Sequence, residues 1–321
     1  MGDLWLPVLL TTLGLLHAAA AYFYFSKEDR AWPWSVAWLV FTAACLWLRA
    51  YAPQAALVLF MSAILGWTLW WYSIRASNAL VWVVENSRQA TADIVDDVLI
   101  VGDLRNFEWL GGRDCVPRWE VRRFTLGSLT AIDLFACTWG DPRVAHLIMS
   151  FVFTDGPPLA FSIETRRETS ERWSILAGFM KSYELIMIAA DERDVIRVRT
   201  NVRGEQVARY RLQSTPQMRR KLLGRYVDQM NGLKRRPRFY NTLFSNCTTE
   251  VVRIMGAAGR RVPLNWRVLV SGYVPHYLHE LGMLEDIRSF EQVSAAADIG
   301  AAAQAADDAE DFWRRIRAVR R

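Results

Sequence analysis

The runs LWLPVLLTTLGLLHAAAAYFYFS at 4–26, AWPWSVAWLVFTAACLWL at 31–48 and AYAPQAALVLFMSAILGWTLWWYSI at 50–74 decide how the rest of the chain is read. None carries a charged side chain, and Pro53 and Gln54 alone interrupt the third. The runs are about 23, 18 and 25 residues long, and a hydrocarbon core about 30 Å thick needs roughly 20 helical residues. A cleaved leader carries basic residues ahead of one apolar run. Here Asp3 is the only early charge and two further runs follow, so a retained three-helix anchor is expected at about 4–26, 31–48 and 54–74. Trp32, Trp34, Trp47, Tyr51, Trp67, Trp70, Trp71 and Tyr72 cluster near the ends of the second and third runs, as an aromatic belt at a membrane interface does.

The loops between the runs bear on orientation. Lys27 and Arg30 lie in the first loop and Arg49 in the second, so a count of short-loop cations places the first loop, and with it the C-terminal domain, in the cytoplasm.

Of 321 residues, about 245 follow the anchor, enough for one large domain. They hold 35 Lys and Arg against 30 Asp and Glu, concentrated at Arg219-Arg220-Lys221, Lys234-Arg235-Arg236 and the C-terminus. This mild balance, without an aromatic-and-basic stripe, argues against nucleic acid as partner and fits the head groups of anionic phospholipids. Cys45, Cys115, Cys137 and Cys247 form no CxxC pair, so neither a zinc site nor a cofactor is expected. Cys115 and Cys137 are candidates for a disulfide in an oxidising compartment.

After the anchor, 76–95 reads as a polar helical connector, with Val81, Val84 and Arg88 at helical spacing. Val98–Val101 and Trp119–Phe124 read as strands. His146–Phe153 and Leu159–Glu164 flank Thr154-Asp155-Gly156-Pro157-Pro158 and predict a hairpin. Its period of two puts His146, Ile148 and Ser150 on one face of the first strand, and Ser162, Glu164 and Arg166 on one face of the second. Trp173–Tyr183 reads as a helix, and Leu185–Ala190, Val195–Thr200 and Gln206–Leu212 as strands. Thr215-Pro216 opens a helix with a buried stripe through Leu222, Leu223, Tyr226 and Met230. A terminal tail, 291–321, ends in an amphipathic basic helix: Phe312, Ile316 and Val319 share one face among Arg314, Arg315, Arg317 and Arg320, a pattern that suits a membrane surface and a merely solvated helix equally.

The stretch Phe239–Met255 runs from a loop into an apolar-periodic segment and sets Cys247 at a helix start. Free N–H groups and the helix dipole favour a thiolate there, the same amides suit an oxyanion, and Asn246 offers a further amide donor. A base is needed. His17 lies in the first run, which leaves His146, His276 and His279.

Taken together, His146-Leu147-Ile148-Met149-Ser150-Phe151, Ser162 to Glu168, Tyr183-Glu184, Pro237 to Thr242 and Asn246-Cys247-Thr248-Thr249 resemble the N-terminal periplasmic domain of the bacterial lipoprotein N-acyltransferase Lnb family, over about 95–285. The resemblance implies an α+β fold: the three-helix transmembrane anchor followed by a circularly permuted, papain-like (NlpC-type) catalytic domain over 96–290, in which the histidine strand precedes the cysteine helix. It implies His146 as general base, Cys247 as nucleophile, and Glu164 or Ser162 as the group orienting the imidazole. Asn246, Tyr240, Asn241 and Arg166 become oxyanion or substrate-binding candidates. It also implies a periplasmic domain at the inner membrane, against the loop charges. The spans follow the catalytic domain in the family's named enzyme, whereas here the apolar runs precede it. The expected activity is a membrane-bound cysteine acyltransferase taking acyl groups from phospholipid or lipoprotein through a thioester on Cys247. A papain-like amidase or peptidase of the envelope is the alternative that keeps the dyad, and a non-catalytic membrane scaffold the one that discards it.

Overall fold

The computed structural model describes residues 5–25, 31–112 and 114–318. Lys27 and Arg30, on which the orientation count leans, and Val319 and Arg320 of the terminal helix lie outside the described residues. The protein is mixed α+β and divides into two compact units: Met1–Trp82 with Arg167–Glu184 and Arg238–Thr242, and Val83–Arg166 with Leu185–Pro237 and Leu243–Arg321.

The first unit holds α1 (Trp5–Phe25), α2 (Ala31–Leu48) and α3 (Pro53–Ser73), each long and apolar enough to cross a membrane. Between 11% and 28% of their apolar windows is buried within the protein, so most of these side chains face outward, an arrangement that suits lipid and not water. The seam packs Leu10, Cys45 and Phe60 against Leu13, Phe41 and Ile64. A Cβ at Gly14 would stand 2.4 Å from Thr42 Oγ1, so only glycine lets α1 and α2 approach here. Ser35 Oγ donates across to the Ala18 carbonyl at 2.9 Å. Tyr24, Phe25, Trp34, Trp70 and Trp71 pack ring against ring at one end of the bundle.

In the same unit the helix expected at Trp173–Tyr183 is absent, and a single 3-10 turn stands at Ala177–Phe179. Side chains have taken over the backbone: the Tyr183 hydroxyl accepts from the Ser174 amide and donates to the Arg172 carbonyl. Lys181, at φ 54°, donates through Nζ to the Trp71 carbonyl at 2.6 Å, covering the C-terminal end of α3 beside the Trp71, Tyr72 and Phe239 rings.

The second unit opens where the helical connector was expected. Past α3 the chain is irregular, apart from a 3-10 turn at Val84–Asn86, until β1 (Thr91–Val95). Guanidinium groups claim the carbonyls a helix would have used: Arg105 donates to Glu85, and Arg166 to Asn86 and Ser87. The chain continues through β2 (Val98–Arg105), β3 (Glu108–Gly111), β4 (Asp114–Val116), β5 (Trp119–Thr125), β6 (Leu129–Thr138), β7 (Ala145–Phe153), β8 (Leu159–Arg166) and β9 (Glu184–Ala190). Then come α4 (Glu192–Val195), β10 (Gln206–Arg211), α5 (Pro216–Arg235), α6 (Cys247–Ala257), α7 (Trp266–Leu269), α8 (Val274–Glu280), α9 (Phe290–Ala297), α10 (Gly300–Ala306) and α11 (Phe312–Arg315). Eight strands form one sheet in the order β1-β2-β9-β8-β7-β6-β10 with β5 also on β2, while β3 and β4 pair apart.

The hairpin expected at 146–164 is β7 against β8, antiparallel, with Ile148 opposite Ser162. Every residue of β7 is buried because both faces are covered. On one face Tyr226 of α5 packs on Phe151 and Phe161. On the other Phe135, Ile148, Ile186 and Val207 meet Ile299, Ala303, Phe312 and Ile316.

This last cluster corrects the reading of the C-terminus. Phe312 and Ile316 are wholly buried in the core and do not lie on a membrane surface. Arg317 lies inside with them, 2.9 Å from Asp133 and 2.6 Å from Glu192, two fully buried carboxylates. Val195–Thr200, expected as a strand, is instead the end of α4 followed by a π-helical turn at Val198–Val202. Asp191 caps α4 by accepting from the Arg193 amide, and buried Asp194 accepts from Arg105, the Phe107 amide and the Trp109 indole. These buried carboxylates override the β-branched pattern. The strand β6, unread in the sequence, lies between β7 and the edge strand β10.

Candidate active site

The helix α6 begins at Cys247 because Asn246 stops it. Asn246 Oδ1 accepts from the Thr248 and Thr249 amides at 2.9 and 2.8 Å, and Thr249 Oγ1 accepts from the Asn246 amide at 2.9 Å, a reciprocal capping box. The Asn246 carbonyl-type oxygen is thus committed to the helix end. Among the described residues the Cys247 amide has no acceptor, and it is the backbone donor free to meet an oxyanion.

The Cys247 thiol lies on β7, where the Leu147 amide donates to it, which sets the sulfur one residue from His146. Thr248 Oγ1 stands 3.8 Å away. Burial pushes the thiol pKa up, against the pull of these hydrogen bonds and of the Arg199 charge, so the resting group is a thiol. The helix N-terminus alone predicts the opposite, and desolvation is the larger effect.

His146 and Ser162 meet through the β7–β8 register, with His146 Nε2 2.7 Å from Ser162 Oγ. Ser162 Oγ–H donates to Glu164 Oε1 at 2.8 Å. Glu164 also accepts from Arg199 Nη2 at 3.2 Å, and Arg199 Nη1 donates to Glu205 at 3.0 Å. Burial raises the Glu164 pKa, but Arg199, His146, Arg105 and the Ser162 hydroxyl more than offset this and hold the carboxyl well below the usual range. It is therefore an anion that only accepts. Since the single Ser162 proton goes to it, the Ser162 oxygen must accept from His146 Nε2–H. The relay fixes the tautomer and leaves Nδ1 with the lone pair. Burial, reinforced by Arg199 and opposed by Glu164, lowers the His146 pKa to about 3. The dyad therefore rests as thiol and neutral imidazole.

The other candidates fall elsewhere. Arg166 is buried with its guanidinium on the Asn86 and Ser87 carbonyls, a brace for the 84–87 turn. Tyr240 and Asn241 belong to the unit that carries the long apolar helices, not to that of Cys247. His276 stacks on Phe290 at 4.6 Å and lies 3.4 Å from Glu280, and His279 contacts the Arg288 carbonyl. No cluster of His, Cys, Asp and Glu fit for a metal occurs among the described residues. All four cysteines are free, so Cys115 and Cys137 are not bonded. Cys137, opposite His146 on β6, has its pKa pushed to about 12 by burial and stays a thiol. Two participants escaped the sequence reading. The Leu147 amide has no side-chain signature, and Arg199 lay hidden in a segment that reads as a strand.

These features define a membrane protein with a mixed α+β domain in which a cysteine helix end and a histidine strand come together. Residues 116–272 match the family described as the Lnb N-terminal periplasmic domain, and the segment contains both His146 and Cys247. Over that segment the chain is Lnb-like, and the match supports a periplasmic domain against the loop-charge count; long domains translocate largely regardless of such charges. No curated protein and no solved structure matches the chain.

Proposed function

We propose that the protein is a multi-pass enzyme of the bacterial inner membrane, with a permuted papain-like domain, that moves acyl groups from a phospholipid or lipoprotein to an amine through a thioester on Cys247. The observation that carries this reading is the relay Arg199–Glu164–Ser162–His146, which ends one residue from the amide that holds the thiol.

In the first half-reaction the sulfur attacks the ester carbonyl carbon while His146 Nδ1 takes the S–H proton. The carbonyl oxygen becomes an oxyanion that the Cys247 amide stabilises. Collapse breaks the C–O bond, and the proton on Nδ1 passes to the departing alkoxide, which leaves as an alcohol. In the second half an amine attacks the thioester, gives a proton to Nδ1, and the C–S bond breaks with return of that proton to sulfur. The positive charge that appears on the ring in each half faces Glu164 through Ser162, which is how a base of low resting pKa is supported when it works.

The test uses protein purified in detergent, a phospholipid labelled in its acyl chain and a synthetic diacylated lipopeptide with a free N-terminal amine. Labelled amide formed by wild type and absent with Cys247→Ala agrees with the proposal. Labelled free fatty acid without amide points to a hydrolase, and no Cys247-dependent product leaves the scaffold reading.

A further inference from the structure

The segment Gly259–Tyr273, directly after α6, presents a patch that the chemistry above does not use. Leu264, Trp266 and Leu269 are 85%, 57% and 54% exposed. Tyr273 meets Trp266 edge-on with ring centroids 5.2 Å apart, and the Arg267 guanidinium lies 5.8 Å over the same Trp266 ring. Large apolar side chains so exposed on a short helix and the loop leading into it are costly in water.

The patch is held rigidly beside the site. The helix α7 packs on α6, and the 3-10 turn Ser271–Tyr273 sits against the start of β7. Ser271 Oγ accepts from the Ala145 amide at 2.8 Å, next to His146, and the Gly272 amide donates to the Arg143 carbonyl at 2.9 Å. A Cβ at Gly272 would come 2.1 Å from the Pro142 carbonyl oxygen, so only glycine allows this seat.

We propose that Leu264, Trp266 and Leu269 form a membrane-contact surface of the periplasmic domain, separate from the three apolar helices, that dips into the outer half of the headgroup region and brings acyl chains to the Cys247 site. The occupant is lipid and not a protein groove-filler for two reasons. The chemistry is that of interfacial anchors: Leu and Trp to enter the acyl boundary, Tyr at its edge, and cations to meet anionic phosphate. Arg261 is exposed without a partner among the described residues and is the cation offered to phosphate, since Arg267 pairs with Glu280; no acidic residue occurs between Gly259 and Tyr273. The tether supplies the rest. Three side chains bind a bilayer weakly alone, but a domain on a membrane-embedded chain sees that surface at a high effective concentration. The role in delivering acyl chains rests on the proposed function; the contact itself does not.

The experiment places the full chain and its Cys247→Ala variant in vesicles of phosphatidylethanolamine and phosphatidylglycerol carrying a phospholipid with a diazirine in its acyl chain. Irradiation and peptide mapping should find lipid adducts on 262–273 as well as on the long apolar helices, in both proteins. The triple variant Leu264→Ser, Trp266→Ser, Leu269→Ser should lose those adducts, and its acyl transfer from vesicle lipid should fall roughly tenfold while its reaction with a short-chain soluble ester stays unchanged. Adducts confined to 5–73, or links only between protein copies at 262–273, would overturn the proposal. Adducts at 262–273 without any acyl transfer by wild type would leave the surface standing and refute the acyltransferase.

Discussion

Ser162 has one proton and two claimants, and the anionic Glu164 settles which receives it. Removing the hydroxyl frees the ring to change tautomer, so Ser162→Ala should lower kcat about 10- to 100-fold with KM little changed, measured by labelled acyl transfer. The pH profile gives a second check at this scale. Free His146 has a pKa near 6.5, whereas its buried site beside Arg199 lowers it to about 3. The neutral base therefore persists in acid, and the acidic limb of kcat/KM should lie well below pH 6.5. Arg199→Met removes a cation that disfavours imidazolium and should move the limb upward, which a purely structural brace would not do. Stability follows the same sign: a depressed histidine contributes above pH 6.5, and its contribution is lost as the pH falls toward 3. His146, Ser162, Glu164 and Cys247 were all legible as residue types on a strand face or at a helix start. Which nitrogen carries the proton was not, because it depends on Arg199, 35 residues beyond Glu164 in the chain.

At the scale of elements, the helix start at Cys247 is as much a device as the thiol. The cap is local chemistry, written as Asn246 and Thr249; the helix start at Cys247 is legible in the sequence, whereas Asn246 reads there as an amide donor and not as the cap. Asn246→Ala should cost about 1 kcal/mol in stability and loosen the first turn, lowering the rate of acylation, while Asn246→Asp should keep the cap; denaturant melts alongside acylation kinetics separate the two. Long-range demands explain the misread elements. The connector at 76–95 and the segment 195–200 carry helical and strand spacing respectively, but Arg105, Arg166 and Asp194 draw their backbones into other shapes. Periodicity reports which side chains are apolar, and it is silent on which carbonyl a distant guanidinium will claim.

For the whole molecule, the apolar runs were plain in composition, whereas the terminal segment was not. Its alternation of Phe, Ile and Arg fits a membrane surface as well as it fits a core lined with Asp133 and Glu192; only the fold, which buries those acids under Arg317, decides between them. Arg317→Met should leave Glu192 buried without its cation and destabilise the protein by about 3 kcal/mol or more, read as a lowered melting temperature in detergent.

Everything proposed for the chemistry requires that Cys247 carry an acyl group. The most direct measurement is intact-protein mass spectrometry of the purified chain after brief incubation with phospholipid of defined chain length and no amine acceptor. The account predicts a mass increase equal to one acyl chain, removed by neutral hydroxylamine, mapped to Cys247 and absent from Cys247→Ala and His146→Ala. An unmodified wild-type protein whose lipid is nonetheless turned over, or an adduct that survives Cys247→Ala, would contradict it.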